Sequence, residues 1–229
     1  MTANSQEFQN QSKKIMNIYL KSILKITVLL VMLFTSFSCS KEDEVGAGST
    51  AVGSEALPVQ TFSNLYSPGS GIPPNTTGEF IKFNFATNSV VTSGDNWDVA
   101  FRTTTILVNG GVAAPGQPVR TGIGAAFIAT GTFANITTAP EDSLFKQDNG
   151  SVNAIVTGSG NGWYNYSSVI HVVTPIAGKV IIIKTHDGKY AKMEILSYYK
   201  DAPANPTMYI STPYYKFNFV YQPNGTKKF

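Results

Sequence analysis

The sequence predicts an all-β domain, a single irregular and sandwich-like antiparallel fold with little helix. Three observations carry this expectation. Aromatic residues make up 12% of the chain, Val, Ile and Thr are plentiful, and the long Ala/Glu/Leu/Lys stretches that build helices are absent. Short runs with apolar residues at every second position recur between clusters drawn from 20 glycines and 12 prolines. The stretch Lys179 to Lys200 contains an aliphatic run, a His186-Asp187-Gly188 turn signal and a second alternating run, which together read as a β-hairpin.

The register of that hairpin follows from its side chains. A three-residue loop with Gly188 in the left-handed position pairs Thr185 with Lys189. It places Ile181, Ile183, Ala191, Met193 and Ile195 on one face, and Lys184, Lys192, Glu194, Ile182 and Tyr190 on the other. A two-residue Asp-Gly loop would set the isoleucines beside Glu194 and Lys192, since a one-residue slip exchanges the faces.

The domain is expected over residues 57–229. Pro58 to Tyr66 is a first strand, and the Pro- and Gly-rich Ser67 to Gly78 is a loop. In Glu79 to Ala86, Ile81, Phe83 and Phe85 share a face. In Asn96 to Gly111, Trp97, Val99 and Phe101 are expected on one side and Asp98, Ala100 and Arg102 on the other, with Ile106 to Val108 a second short strand. Val112 to Gly122 reads as a mobile loop. The small residues of Ile123 to Phe133 suggest close approach by another segment or a ligand. A helical turn is plausible only over Pro140 to Lys146. Trp163 to Tyr166, a strand Val169 to Val173, and Tyr214 to Tyr221 with Tyr215, Phe217 and Phe219 on one face complete the pattern. The words Lys82-Phe83-Asn84-Phe85 and Lys216-Phe217-Asn218-Phe219 match, as strands of one kind.

Ahead of the domain, residues 1–38 have the layout of a secretory leader: lysines, the apolar run Ile26 to Phe34, then small residues. The run is short for a membrane-spanning helix. It ends at the only cysteine, Cys39. An ordinary leader that contains a cysteine is one reading. A lipoprotein leader, with Cys39 as the lipid-carrying first residue, is the sharper one. Residues 39–56 then form a lipid-anchored flexible linker, rich in Gly, Ser and Ala. Without the four lysines and one glutamate that precede Cys39, basic and acidic residues balance, so no basic stripe for nucleic acid remains.

Enzymatic chemistry finds no support. The chain has two histidines, too few for a structural zinc site, and no HExxH spacing. Gly158-Ser159-Gly160 is not a nucleophile elbow, and no phosphate-binding loop is present. Glu141-Asp142 and Asp95/Asp98 read as solvated surface. His171 reads either as a strand histidine, facing solvent or hydrogen-bonded in the core, or as a ligand to an iron centre. His186 reads as a polar turn residue. Trp163, Tyr164 and Tyr166 are suited to stacking on a flat ligand, or equally to burying a sheet edge.

Trp97-Asp98-Val99-Ala100-Phe101-Arg102, continuing through Asn109-Gly110-Gly111, together with Lys184-Thr185-His186-Asp187-Gly188-Lys189-Tyr190-Ala191 and Ser197-Tyr198-Tyr199, resembles the HmuY family. That resemblance implies a lipid-anchored, largely all-β protein of Bacteroidetes at the outer-membrane surface. It implies capture of haem between two axial side chains on loops at one end of the domain, and delivery to a TonB-dependent receptor. Ser40-Lys41-Glu42-Asp43-Glu44 similarly resembles the surface-export signal of such lipoproteins. In this chain the resemblance points to His171 as the later ligand. Ala134 to Asp148, where the earlier one is expected, contains neither His nor Met. Tyr164 or Tyr166 is then a substitute, or one His suffices. A surface interaction or small-ligand module that does not bind haem is the alternative.

Overall fold

The alternating runs become strands because each has one apolar face to bury. The computed structural model describes residues 56–71 and 76–229. The leader, Cys39 and the linker as far as residue 55 lie outside them. Thirteen strands follow in chain order: β1 (Gln60–Tyr66), β2 (Ile81–Asn84), β3 (Ser89–Val91), β4 (Val99–Arg102), β5 (Thr105–Val108), β6 (Gly111–Ala113), β7 (Ala125–Thr130), β8 (Asp148–Gly150), β9 (Tyr164–Ser167), β10 (Val172–Pro175), β11 (Lys179–Lys184), β12 (Tyr190–Ser197) and β13 (Tyr214–Gln222). One 3₁₀ turn, Asp142–Leu144, falls inside the stretch expected to be helical and is the sole helical element among the described residues. The all-β expectation holds.

Two antiparallel sheets dominate, one ordered β1-β13-β12-β11-β7 and the other β3-β2-β4-β5. Two-stranded pairs β9–β10 and β6–β8 flank them. The β11–β12 hairpin has the expected register, with Ile181 opposite Met193 and Ile183 opposite Ala191. The Thr185 amide donates to the Lys189 carbonyl at 2.8 Å, and Gly188 takes φ +86°. Ile181, Ile183, Ala191, Met193 and Ile195 enter the main core, while Ile182 and Tyr190 pack on the other face with Ala139.

The two large sheets meet through aromatic rings. Phe83 lies 5.3 Å from Phe217 and 5.0 Å from Phe62, Phe85 lies 5.3 Å from Phe219, and Phe101 lies 4.9 Å from Tyr215. The two matching Lys-Phe-Asn-Phe words therefore face each other, one from each sheet. All six of Phe83, Phe85, Phe101, Tyr215, Phe217 and Phe219 are fully buried. The outer face of the five-stranded sheet is covered in turn by residues 134–146 and the C-terminus, where Ile136, Phe145 and Phe229 pack around Ile182 and Tyr190. The buried Lys192 ammonium donates there to the carbonyls of Phe133 (2.8 Å) and Ile136 (2.7 Å).

Three expectations need correction. Trp97 does not share a face with Val99 and Phe101. The chain bends at Asp98 before the ladder starts, and Trp97 packs with Phe80, Ala100 and Leu107 on the outer side. The stretch read as a mobile loop begins as β6, which pairs in parallel with β8. The strand placed at Val169 to Val173 starts only at Val172, because Ser168 to His171 form the turn between β9 and β10. The small residues near β7 do mark a close approach, and the neighbour is another segment. A Cβ on Gly124 would come within 2.8 Å of the Asn109 carbonyl oxygen, and one on Gly110 within 2.0 Å of the Gly124 carbonyl oxygen.

Phe217 contacts rings from both sheets, so Phe217→Ala should cost about 3–5 kcal/mol of stability. Urea unfolding followed by tyrosine and tryptophan fluorescence would measure it, and a loss below about 1 kcal/mol would contradict this account of the core.

Candidate functional site

The two motifs of the family resemblance meet at one point. Asp98 is buried, and its carboxylate accepts three hydrogen bonds: the Phe85 amide at 2.8 Å, the His186 amide at 3.1 Å and His186 Nδ1 at 2.7 Å. The Asp98 amide donates to the Phe83 carbonyl, and the Asn109 amide donates to the Asp98 carbonyl. One carboxylate thus ties β2, the start of β4 and the β11–β12 loop together. The expectation that Asp98 is solvated surface is wrong, because three donors converge on it inside the protein. His186 is a polar turn residue as expected, but its ring is turned onto Asp98 rather than into water.

Hydrogen bonding to Asp98 raises the His186 pKa above its ordinary value, against the effect of burial. The neighbouring Asp187 carboxyl is pushed up by partial burial, but the Thr185 hydroxyl and Lys189 ammonium outweigh this and hold it at about 2. Donor atoms of Asp98, His186 and Asp187 lie within 4.8 Å of one another, a spacing compatible with one cation. Thr185 Oγ1 already donates to Asp187 Oδ1 at 2.6 Å, and Lys189 Nζ sits 2.9 Å from Asp187 Oδ2. Both oxygens of Asp187 and both of Asp98 therefore already have partners, and the cluster acts as a structural clamp.

A second buried carboxylate repeats the device. Asp148 accepts from the Val108 amide, the Ala154 amide and Arg120, whose guanidinium is 2.9 Å away. Burial pushes its pKa up, against the pull of those donors. Arg120 lies in the stretch read as mobile, and this pairing fixes it.

The expected ligand residues separate into two groups. Trp163 and Tyr164 are in the core, 2% and 5% exposed, so neither is presented for stacking on a ligand. Trp163 Nε1 donates to the Thr104 carbonyl at 3.0 Å, and Tyr164 Oη accepts from the Thr104 hydroxyl at 3.3 Å. They anchor the base of the β9–β10 hairpin. Tyr166 and His171 stand near its tip, both exposed, with Tyr166 Oη 2.8 Å from His171 Nδ1. The turn between them carries Val169 and Ile170, 88% and 58% exposed. His171 adopts φ +52°, a left-handed conformation uncommon for a residue with a Cβ.

The stretch expected to hold the earlier ligand is elsewhere. Ala139, Ile136 and Phe145 pack on the Ile182 face of the five-stranded sheet, whereas Tyr164 and Val172 of the β9–β10 hairpin join the core on the Ile181 face. The sheet separates them. The donor set at the tip, an imidazole and a phenol beside apolar side chains, suits haem iron approached from one side. Among the described residues no second His is brought to it.

A model of the HmuY protein family matches residues 76–214. The chain belongs to the HmuY family. The matched span includes both the Asp98–His186 clamp and the Tyr166–His171 tip. Solved structures of three Bacteroidetes proteins are also similar. The HmuY analogue of Tannerella forsythia in its apo form is 14% identical, with TM-score 0.39, covering 73% of this chain and 96% of that one. An HmuY-like protein of Bacteroides vulgatus, described as a candidate haem-binding protein, is 16% identical, with TM-score 0.41, covering 62% and 84%. A candidate lipoprotein of Bacteroides fragilis is 17% identical, with TM-score 0.41, covering 63% and 86%. Comparison with curated proteins gives no match.

The raised His186 pKa makes stability depend on pH. A histidine that binds its proton more tightly when folded contributes stability that is complete below its unfolded value near ~6.5 and is lost as pH rises through the folded value. The stability gap between the natural protein and His186→Gln should therefore be wider at about pH 5.5 than at about pH 9, by urea unfolding. A gap that is constant or grows with pH would refute the charged pairing.

Proposed function

We propose that this HmuY-family protein is a cell-surface lipoprotein that binds haem and carries out no catalysis, with His171 as the residue that meets the iron. The observation that carries the reading is the exposed His171–Tyr166 pair beside a turn whose apolar residues, Val169 and Ile170, lie in water. A neutral imidazole is a strong donor to haem iron. Exposed aliphatic side chains offer the flat apolar face of a porphyrin a place to dry. The resemblance of the sequence to a family whose characterised members capture haem supports the same reading. Tyr166 is close enough to His171 to act with it, whereas Trp163 and Tyr164 support the hairpin from within.

In this reading Cys39 carries the lipid, residues 40–56 tether the domain, and Ser40-Lys41-Glu42-Asp43-Glu44 directs export to the outer face of the outer membrane. Haem then passes to a TonB-dependent receptor in the same membrane.

One observation favours a second reading, a small-ligand or interaction module without haem. A cleft of about 390 Å³ lies at the end of β10 away from His171, lined by Phe133, Pro175, Ile176, Lys179, Glu194 and Leu196. Its size lies within the range of small-molecule sites, and among the described residues no His, Met, Cys or Tyr lines it to hold haem iron.

Titration of the full-length chain in detergent with haemin separates the two. Saturable growth and shift of the Soret band, lost in His171→Ala, is the expected result. Absence of any shift with the natural protein would remove haem as the ligand. For the anchor, Cys39→Ala should move the protein out of the membrane fraction, and unchanged partitioning would argue against lipidation.

A further inference from the structure

We infer that Tyr166 is a positioning residue for His171: its phenol oxygen accepts the Nδ1 proton and so reserves the Nε2 lone pair for iron. This inference rests on the haem reading above.

A neutral imidazole carries one N–H and one lone pair, on opposite nitrogens. Tyr166 Oη lies 2.8 Å from Nδ1, within hydrogen-bond distance for either direction of donation. If the phenol donates, the remaining proton sits on Nε2 and the ring has no outward lone pair. If Nδ1 donates, Nε2 is the free donor atom. Among the described residues Nε2 has no hydrogen-bond partner, and the second arrangement is the one we assign, already set by Tyr166 before iron arrives. Histidines that hold metals commonly give their other N–H to a fixed acceptor, which sets both tautomer and ring direction.

The backbone that carries the phenol is itself held in place. The Tyr166 amide donates to Ser159 Oγ at 2.8 Å, and Tyr166 pairs across the hairpin with Val173. The Val173 amide in turn donates to Tyr199 Oη at 2.8 Å. Tyr166 is thus tied to the loop before β9 and, through Val173, to the segment after β12. His171 lies in the turn and has no such backbone ties among the described residues. Its φ is left-handed, and its ring lies beside the phenol carried by β9. Tyr166 is itself 46% exposed, so burial does not account for its position.

The test compares the full-length natural protein, Tyr166→Phe and His171→Ala in detergent, with circular dichroism to confirm folding and haemin as the probe. Tyr166→Phe should keep the histidine-type absorption and electron-paramagnetic spectra but bind haemin about 10–100-fold more weakly. Nitrogen-15 spectra of the haem-free protein should show the His171 proton on Nδ1, and its shift toward Nε2 in Tyr166→Phe. Unchanged haemin affinity or unchanged tautomer in Tyr166→Phe overturns the inference and leaves the haem reading intact. A tyrosinate-type spectrum that survives in His171→Ala overturns it too, because the phenol would then be the ligand. Failure of the natural protein to bind haemin overturns the haem reading itself, together with the role assigned to Tyr166.

Discussion

A carboxylate taken out of water must have its oxygens filled, and Asp98 shows what that requirement organises. Left without partners, a buried charge costs several kcal/mol. Here the three donors come from two distant parts of the chain: the Phe85 amide just after β2, and the backbone and ring of His186. The position of each is constrained by the same two oxygens. The four-stranded sheet and the hairpin of the five-stranded sheet are therefore locked at this end by polar geometry. Along the rest of their interface they are held by non-directional packing of rings such as Phe83 and Phe217. Packing supplies the larger stabilisation, and the carboxylate specifies how the sheets are arranged.

Asp148 and Asn109 extend the principle to the loops. Asn109 is fully buried, donates to the carbonyls of Asp95 and Trp97, and accepts from the amides of Thr121 and Gly122. Irregular backbone has no ladder to satisfy its polar groups, so side chains must do it. In this way the segment around Arg120 is fixed without forming a long strand. The close approach of Gly110 and Gly124 belongs to the same construction, since a side chain at either would push the two segments apart.

Much of the fold was legible because it depends on periodicity. The β11–β12 register, the buried face of β13 and the two aromatic words all follow from alternation, and alternation survives in the structure. Two of the failures occur where a single polar group overrides the pattern. The bend at Asp98 moved Trp97 to the outer side, and the pairing of Asp148 with Arg120 ordered a stretch whose Pro and Gly content suggested mobility. For the candidate site, the sequence named His171, Tyr166, Trp163 and Tyr164 together and did not show that the first two stand apart from the others. Neighbouring aromatic residues in one short run look alike in sequence, and only the hairpin's direction shows which are anchors and which are presented. Asp98 and His186 were both visible in the motifs. Their contact spans 88 positions, and no local pattern encodes it.

The β9–β10 hairpin is built like a cantilever. Its root is set in the core by Trp163 and Tyr164, Val172 is buried again where β10 begins, and Ser168 to His171 project beyond that point. Substitutions in the projecting turn remove no buried contact of the main core, so they carry little folding penalty. The residues of the turn can be exchanged while the clamp and the aromatic core stay as they are. The surface that such a turn presents is free to drift faster than the shape beneath it.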